Sequence, residues 1–188
     1  MWSNSCITSI FFFTTLVLSI LHISTSHTLI PDICNHVSRD ARPPVPYGFC
    51  MRSLLAVRGS RHATLEGLGI IVMKLTNHTL TDTGRYIKAL TREKELDEYV
   101  RTKLESCFRS YWGSISSIKS TIDCYKSKNF DDANIQLGSV QDEAASCDEE
   151  FEGFIGFVSP LTARDRTISD LATIAVKITN RLRDGIYT

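Results

Sequence analysis

The feature of this sequence that most restricts its fold is a series of four long segments in which apolar residues recur at helical spacing. The segments span residues 61–92, 94–125, 131–154 and 160–184. Within each one, apolar side chains return every three or four residues, which places them along one side of an α-helix. In the second segment this stripe comprises Leu96, Val100, Leu104, Cys107, Tyr111, Ile115, Ile118, Ile122 and Tyr125. Each segment is therefore predicted to be an amphipathic helix.

The connections between the four segments are short, at residues 91–93, 126–130 and about 155–159. Links of this length force consecutive helices to run antiparallel, and four apolar stripes can be hidden from water only against one another. The sequence therefore predicts an all-α fold, an up-down four-helix bundle over residues 60–188. No segment shows the alternation typical of a strand, and no internal repeat is present.

The N-terminus has the composition of a secretory signal peptide. Residues 1–26 contain no charged side chain, and the apolar run Ile7–Ile23 is followed by the small residues Ser24 and Ser26. A membrane anchor is the alternative, but Thr14, Thr15 and Ser19 lie within the run and it lacks a basic flank on its C-terminal side. We expect cleavage near Ser26, a secreted protein without a membrane segment, and one mature domain over residues 27–188.

Between the signal peptide and the bundle, residues 27–59 are predicted to form a helical hairpin. A cluster of three prolines interrupts any continuous helix there, but the flanking runs 33–39 and 47–57 can each form about two turns. Cys34 and Cys50 lie one on each side of the proline cluster. A bridge between them, which the loop-entropy model values at about 3 kcal/mol, would hold the hairpin together outside the bundle.

Secretion favours disulfide bonds among the five cysteines that remain once Cys6 is removed with the signal peptide. Cys107 and Cys147 lie on the inward stripes of neighbouring antiparallel helices, so a bridge between them is geometrically reasonable and would contribute about 4 kcal/mol. Cys124 lies beside its stripe, and we expect a free, partly buried thiol; an intermolecular bridge is the alternative. No CxxC pair occurs and no histidine has ligand spacing from a cysteine, so no metal site is expected.

Charge and motifs argue against several classes of function. Lysine plus arginine equal aspartate plus glutamate at 21 each, so no overall field favours nucleic acid. The sequence lacks the GxSxG, P-loop, HExxH and dinucleotide-binding patterns, and we expect neither catalysis nor a cofactor. A carrier that encloses an apolar ligand between its helices is a distant alternative. The sequence Asn77-His78-Thr79 makes Asn77 a candidate for glycosylation.

Several short motifs in their helical contexts resemble those of the plant invertase and pectin methylesterase inhibitor family. The resemblance covers essentially the whole mature chain, and its four paired cysteines make the combination specific. Two further motifs look most like the pollen-allergen branch of this family, whose members are described as invertase inhibitors. The family motifs are LESC from Leu104, KNFDDAN from Lys128, CDEEF from Cys147 and SPLT from Ser159; the branch motifs are YGFC from Tyr47 and LEGLG from Leu65.

This resemblance implies an extracellular plant protein of the apoplast or cell wall. It implies a four-helix bundle with an N-terminal hairpin, bridged Cys34 to Cys50 and Cys107 to Cys147, with no counterpart for Cys124. It also implies function by binding, in which the protein occludes the active-site cleft of a cell-wall carbohydrate enzyme without a covalent bond. We expect a monomer when no partner is bound.

The choice between the two target enzymes depends on the turn between the second and third bundle helices. Invertase inhibitors are similar in carrying Pro-Lys-Phe there, where the lysine can meet acidic groups in the enzyme's cleft; here the turn reads Lys128-Asn129-Phe130. Pectin methylesterase inhibitors often have Leu-Thr-Asn before the last cysteine, where this chain has Gln-Asp-Glu. The missing lysine favours pectin methylesterase slightly, and acid invertase is the alternative. The candidate partner contacts are Lys128, Asn129, Phe130, Asp131 and Asp132.

Some of these residues also have purely structural interpretations. Asp131 is a suitable N-cap, and Phe130 could then pack on Ile135 as a hydrophobic staple. Tyr111 and other tyrosines at helical spacing are expected in the core with their hydroxyl groups in water. Trp112 lies one step off the stripe; it could cover the hairpin or form an exposed hot spot for a partner.

Overall fold

The computed structural model describes residues 29–151 and 158–186, and all regular structure in these ranges is helical. The predicted signal peptide lies outside the described residues. A short 3₁₀ turn, Ser60–His62, separates the first two helices from the other four. The six helices are α1 (29–40), α2 (Tyr47–Leu55), α3 (Leu65–Leu90), α4 (Glu98–Lys126), α5 (Phe130–Glu149) and α6 (Thr162–Arg183).

Helices α3 to α6 form the predicted bundle. Each packs against the next along the chain, and α6 closes the arrangement by packing against α3. The stripes meet in one continuous core, in which the largest fully buried side chains of the bundle are Leu68, Met73, Leu80, Ile87, Leu104, Tyr111, Ile118, Tyr125, Leu137 and Leu161. The predicted all-α, up-down four-helix bundle is therefore confirmed.

Three helices begin later than their hydrophobic patterns indicate, because polar side chains fix their first turns. Helix α3 was predicted from residue 61 but begins at Leu65, where the hydroxyl oxygen of Thr64 accepts a hydrogen bond from the N–H of Gly67 at 3.1 Å. Helix α4 was predicted from residue 94, but Asp97 caps it: its Oδ1 accepts hydrogen bonds from the backbone N–H groups of Tyr99 and Val100, at 2.9 and 3.2 Å. Helix α6 begins at Thr162, since the hydroxyl of Ser159 accepts a hydrogen bond from the N–H of Leu161 and holds a turn ahead of the helix.

The N-terminal hairpin consists of α1 and α2, joined by the Cys34–Cys50 disulfide with a Cα–Cα distance of 5.5 Å. It was predicted to lie outside the bundle, and this was wrong. Ile33 and Leu54 are buried within the same core as the bundle helices, and the guanidinium of Arg181 on α6 lies 2.6 Å from the carboxylate of Asp32. Apolar residues on one side of each short helix thus add the hairpin to the core instead of leaving it as an appendage.

The second disulfide joins Cys107 on α4 to Cys147 on α5, with a Cα–Cα distance of 5.3 Å. Both cysteines are buried on the facing sides of the two helices, as their stripes predict. Cys124 forms no bridge to another cysteine among the described residues and is half-buried, with its sulfur 3.9 Å from Nε2 of Gln136. None of the helices in residues 29–151 and 158–186 combines the length and the hydropathy needed to cross a bilayer.

Candidate functional site

The candidate site is the turn between α4 and α5, and its backbone follows a Schellman motif. The N–H of Asn129 donates to the carbonyl of Cys124 at 2.9 Å, and the N–H of Lys128 donates to the carbonyl of Tyr125 at 3.0 Å. Lys128 occupies the left-handed position of this motif, with φ of 64°. A residue with a Cβ atom is disfavoured in that conformation by about 1–2 kcal/mol, so the surrounding contacts must hold the turn in place.

An ion pair supplies one of these contacts. The ammonium group of Lys128 binds the carboxylate of Glu66, which lies in the first turn of α3. The same ammonium lies 6.0 Å from the centre of the Phe130 ring. Both charged side chains are partly exposed, so the pair contributes little stability, but it orients Lys128 toward α3 and partly neutralises its charge.

The buried ring of Tyr125 supports the turn from below. Its hydroxyl donates to the backbone carbonyl of Glu66 at 3.1 Å, and Phe130 packs against its ring in an edge-on arrangement with centroids 5.5 Å apart. The ring passes so close to α3 that a Cβ atom at position 69 would lie 2.0 Å from the Tyr125 hydroxyl oxygen. Glycine at position 69 is therefore a steric requirement of this contact.

The structural interpretation of Phe130 and Asp131 was wrong in its details. Helix α5 is capped by Asn129, whose side-chain oxygen accepts from the N–H of Asp132 at 3.5 Å, so Asp131 is not the N-cap. Ile135 is 67% exposed, and Phe130 packs on Tyr125 instead of forming a staple with it. The N-cap lies two residues earlier than expected, so Phe130 is the first residue of the helix, and Ile135, five residues on, lies on a different side of it.

The charges of the turn balance, because residues 126–132 contain two lysines, Lys126 and Lys128, and two aspartates, Asp131 and Asp132. Asp131 is exposed and lies 3.7 Å from the guanidinium of Arg183, while the Asp132 carboxylate accepts a hydrogen bond from the Asn129 amide. Both carboxylates lie in the first turn of α5, where the helix dipole favours them. The carboxylate that pairs with the ammonium of Lys128 is that of Glu66.

The five predicted contact residues are thus brought together, and the structure adds residues that the sequence did not single out. Glu66 and Gly69 reach the turn from α3. Gln136 accepts hydrogen bonds through Oε1 from Ser120 at 3.0 Å and from Thr121 at 2.8 Å, which ties α5 to α4 next to the turn. The sequence does contain a signal that position 69 is special, because a glycine lies there within an otherwise helical pattern.

Other residues singled out in the sequence lie elsewhere. Trp112 is 59% exposed on α4 and does not cover the hairpin; its ring centre lies 6.1 Å from that of Phe108, and the ammonium of Lys88 lies 5.8 Å from it. Asn77 lies in the middle of α3 with its side chain half-buried. Tyr111 is fully buried, and its hydroxyl donates to a carboxylate instead of lying in water.

The chemistry of the described residues is that of a binding surface. No group of three or more metal-ligating side chains occurs within residues 29–151 and 158–186. Residues 126–132 carry two ammonium groups, two carboxylates, an amide and an aromatic ring, and Glu66 of α3 adds a third carboxylate. These groups can form ion pairs, hydrogen bonds and an apolar contact with a macromolecule.

Comparison with known proteins identifies the family. Residues 28–180, most of the chain, match the family described as plant invertase/pectin methylesterase inhibitor. The chain belongs to this family. The match includes the hairpin, all four bundle helices up to Asn180 and both disulfides, so the resemblance noted in the sequence is confirmed.

Individual relatives within the inhibitor family differ in their named targets. A protein of Platanus acerifolia called "Putative invertase inhibitor" is 31% identical over 173 residues, which cover 92% of this chain and 94% of that protein. A "Pectinesterase inhibitor" of Actinidia deliciosa is 25% identical over 179 residues, covering 90% and 92% of the two chains. A crystal structure of a mutant pectin methylesterase inhibitor from Arabidopsis superposes with a TM-score of 0.63 at 20% identity, covering 71% of this chain and 88% of that one. The structural likeness supports the fold alone.

Proposed function

We propose that this chain is a secreted inhibitor of a plant cell-wall carbohydrate enzyme, with pectin methylesterase as the favoured target. The inhibitor binds non-covalently and occludes the active-site cleft with the turn of residues 126–132 and the adjoining faces of α4 and α5. Membership in an inhibitor family supports the general role. The first 26 residues act as the secretory signal, and the mature chain is a monomer when no partner is bound.

The observation that carries the choice of target is the electrostatics of the turn. At the position where invertase inhibitors of this family have a lysine, Asn129 caps α5 and carries no charge. The neighbouring ammonium of Lys128 is bound to Glu66, and Asp131 and Asp132 add negative charge. A turn without the lysine at this position attracts an acid-lined cleft less strongly, because charge complementarity favours docking.

The stiffness of the turn supports inhibition by occlusion. Tyr125, the Glu66 ion pair and the Gln136 hydrogen bonds hold it against α3 and within the α4–α5 pair. A surface that is already ordered loses little conformational entropy when it docks, so more of the contact energy appears as affinity. Neither large cleft among the described residues is enclosed, which gives the apolar-carrier alternative no support.

A direct test is to titrate the purified protein into a plant pectin methylesterase and into a plant acid invertase at mildly acidic pH. We expect stoichiometric loss of pectin methylesterase activity and a complex that co-elutes in size-exclusion chromatography. The Phe130→Ala variant should bind more weakly. The matched control is Lys94→Ala, at the other end of α4 and about 40 Å from the turn, which should inhibit like the wild type. If neither enzyme is inhibited at any ratio, the proposed function is wrong.

Acid invertase is the second candidate, and one observation favours it: the Platanus acerifolia relative, at 31% identity, is named for invertase. The Asn129→Lys variant separates the two candidates, since it restores the cation at the tip of the turn. If pectin methylesterase is the target, this variant should gain no inhibition of that enzyme. If invertase is the target, it should inhibit invertase more strongly than the wild type does. Inhibition of invertase alone by the wild type would overturn the preference for pectin methylesterase.

A further inference from the structure

A second candidate site lies at the other half of the bundle, in an open cleft between the hairpin, α5 and α6. The cleft has a volume of about 270 Å³. Its walls include apolar groups of the hairpin loop and of α5, and its floor carries carboxylates. The lining residues that matter here are Pro43, Pro44, Ala145, Asp148, Asp165 and Asp170.

Asp165 lies at the base of this cleft and is 3% exposed. Its Oδ1 accepts a hydrogen bond of 2.5 Å from the hydroxyl of Tyr111 on α4. Its Oδ2 is buried and has no hydrogen-bond partner among residues 29–151 and 158–186. Buried carboxylate oxygens are nearly always paired, because leaving one unpaired costs the full desolvation of that group.

Further carboxylates on α5 and α6 lie near this one, while α4 presents the neutral hydroxyl of Tyr111 and the hairpin presents two prolines. Asp148 on α5 accepts a hydrogen bond from the Thr162 hydroxyl at 2.7 Å, and Asp170 on α6 is buried. Within residues 29–151 and 158–186, the only cationic side chain that lines the cleft is the exposed Arg166. Burial raises the pKa of Asp165 to about 7, with a further increase from Asp148 and an opposing effect of the Tyr111 hydrogen bond. Glu143 of α5 adds to the negative potential at the Tyr111 hydroxyl.

We propose that this cleft binds an organic cation carried on an alkyl stem, such as a guanidinium or a primary ammonium, with the cationic head on the free oxygen of Asp165. The aspartates would neutralise the head, while the proline and alanine groups would cover the stem. Charged donors make the strongest hydrogen bonds to carboxylates. A bare metal ion fits less well, because no group of three metal-ligating side chains is found in the described part of the chain.

The cationic group that binds Asp165 could come from two sources. One is an arginine or lysine side chain of the target enzyme, and this possibility rests on the proposed function. The other is a free amine or guanidine compound. Binding of a small probe to the inhibitor alone tests the site whether or not any enzyme is inhibited, so its failure is distinct from failure of the proposed function.

The first experiment is an NMR titration of the ¹⁵N-labelled protein with n-propylguanidinium chloride at pH 8, at constant ionic strength. We expect saturable shifts confined to the amides around residues 43–44, 145–148 and 162–170. The neutral isostere n-propylurea should produce no saturable shifts. Binding should weaken as the pH is lowered from 8 to 6, because the Asp165 carboxylate is protonated below its pKa of about 7 and loses its charge.

Two variants locate the site. Asp165→Asn retains an acceptor for the Tyr111 hydroxyl and removes the charge, and should weaken n-propylguanidinium binding about tenfold or more, as expected for a lost hydrogen bond between charged groups. Ala145→Leu leaves Asp165 in place, narrows the cleft and should also weaken binding. This variant keeps the site testable if Asp165→Asn fails to fold. Asp131→Asn, at the exposed turn, is the matched control and should bind like the wild type.

Equal binding by the wild type, Asp165→Asn and Ala145→Leu would overturn the proposal, as would shifts spread over the acidic surface. Calcium chloride shifting the same amides as strongly as the organic cation would overturn the chemical class. Enzyme assays at pH 8, where the Asp165 carboxylate is charged, then assign the source. If Asp165→Asn no longer inhibits, the cation belongs to the target enzyme. If Asp165→Asn still inhibits but no longer binds the probe, the ligand is a free compound. Either result supports the site.

Discussion

The close approach of Tyr125 to α3 gives the sharpest test of how the candidate turn is held. In the Gly69→Ala variant the new methyl group would lie 2.0 Å from the tyrosine hydroxyl oxygen and 2.5 Å from the ring carbon that carries it. Neither distance is possible, so the tyrosine ring or the helix must move. Movement of the ring would break its hydrogen bond to the carbonyl of Glu66 and loosen the support beneath Phe130.

The expected change in the free energy of unfolding is the sum of two losses and one gain. Overpacking a well-packed site costs about 1–3 kcal/mol, and loss of the Tyr125 hydrogen bond costs about 1 kcal/mol. Replacing glycine by alanine within a helix returns about 1 kcal/mol. We therefore expect Gly69→Ala to lower the free energy of unfolding by about 1–3 kcal/mol.

The matched control is Gly113→Ala on α4, where an added Cβ meets nothing within 4 Å. This variant should gain up to about 1 kcal/mol from helix propensity alone. The free energies of unfolding of both variants and the wild type can be compared by urea denaturation with the disulfides intact. Gly69→Ala should also inhibit the target enzyme more weakly than the wild type does. If Gly69→Ala is as stable as Gly113→Ala, the contact between Tyr125 and α3 does not constrain the turn.

Three further predictions address the scaffold. Replacing both cysteines of a disulfide by serine should lower the free energy of unfolding, measured in urea, by about 4 kcal/mol for the 107–147 pair and about 3 kcal/mol for the 34–50 pair. The losses differ because the two disulfides close loops of different length. A larger loss for the shorter loop would contradict the entropic account. Because burial raises the pKa of Asp165 from 3.8 to about 7, the folded protein binds a proton that the unfolded chain releases between these values, so stability should fall as pH rises from 4 to 7. Asp165→Asn should flatten that dependence, and an unchanged slope in denaturation curves would refute the assignment. Trp112→Ala should change thermal stability by no more than about 0.5 kcal/mol, since the ring is mostly exposed; a larger loss would show that its contacts with Phe108 and Lys88 support the fold.

The bundle could be predicted because its determinants are local and repeated. A hydrophobic stripe defines each helix without reference to the others, and short links then leave few ways to pack four such helices. Helix ends were less accurate, since Leu96 fits the stripe of α4 but the carboxylate of Asp97 takes the first amide groups of the helix and excludes it. The hairpin was misplaced because its short helices show too little pattern to reveal which side is buried.

The candidate site could be predicted only in part, for a different reason. The residues of the turn are consecutive, so their proximity was certain from the sequence. The contacts that orient them are distant in the chain: Tyr125 reaches Glu66 across 59 residues, and Lys128 reaches it across 62. No periodic pattern encodes such contacts. In the sequence, Gly69 stood out only as part of the LEGLG motif, whereas the structure shows that it makes room for a ring from another helix.

The two candidate surfaces lie near opposite ends of α5, and both ends of this helix are fixed to α4. At one end Phe130 packs on Tyr125; near the other, Cys147 is bonded to Cys107, one residue before Asp148 of the cleft. From residue 130 to residue 148 the helix extends about 27 Å, far beyond the range over which substitutions usually couple. The effects of Phe130→Ala and Asp165→Asn on the free energy of unfolding should therefore add to within about 0.5 kcal/mol in the double variant. A larger deviation in denaturation measurements would mean that α5 transmits strain between the turn and the cleft, and that neither surface can be assigned from single variants.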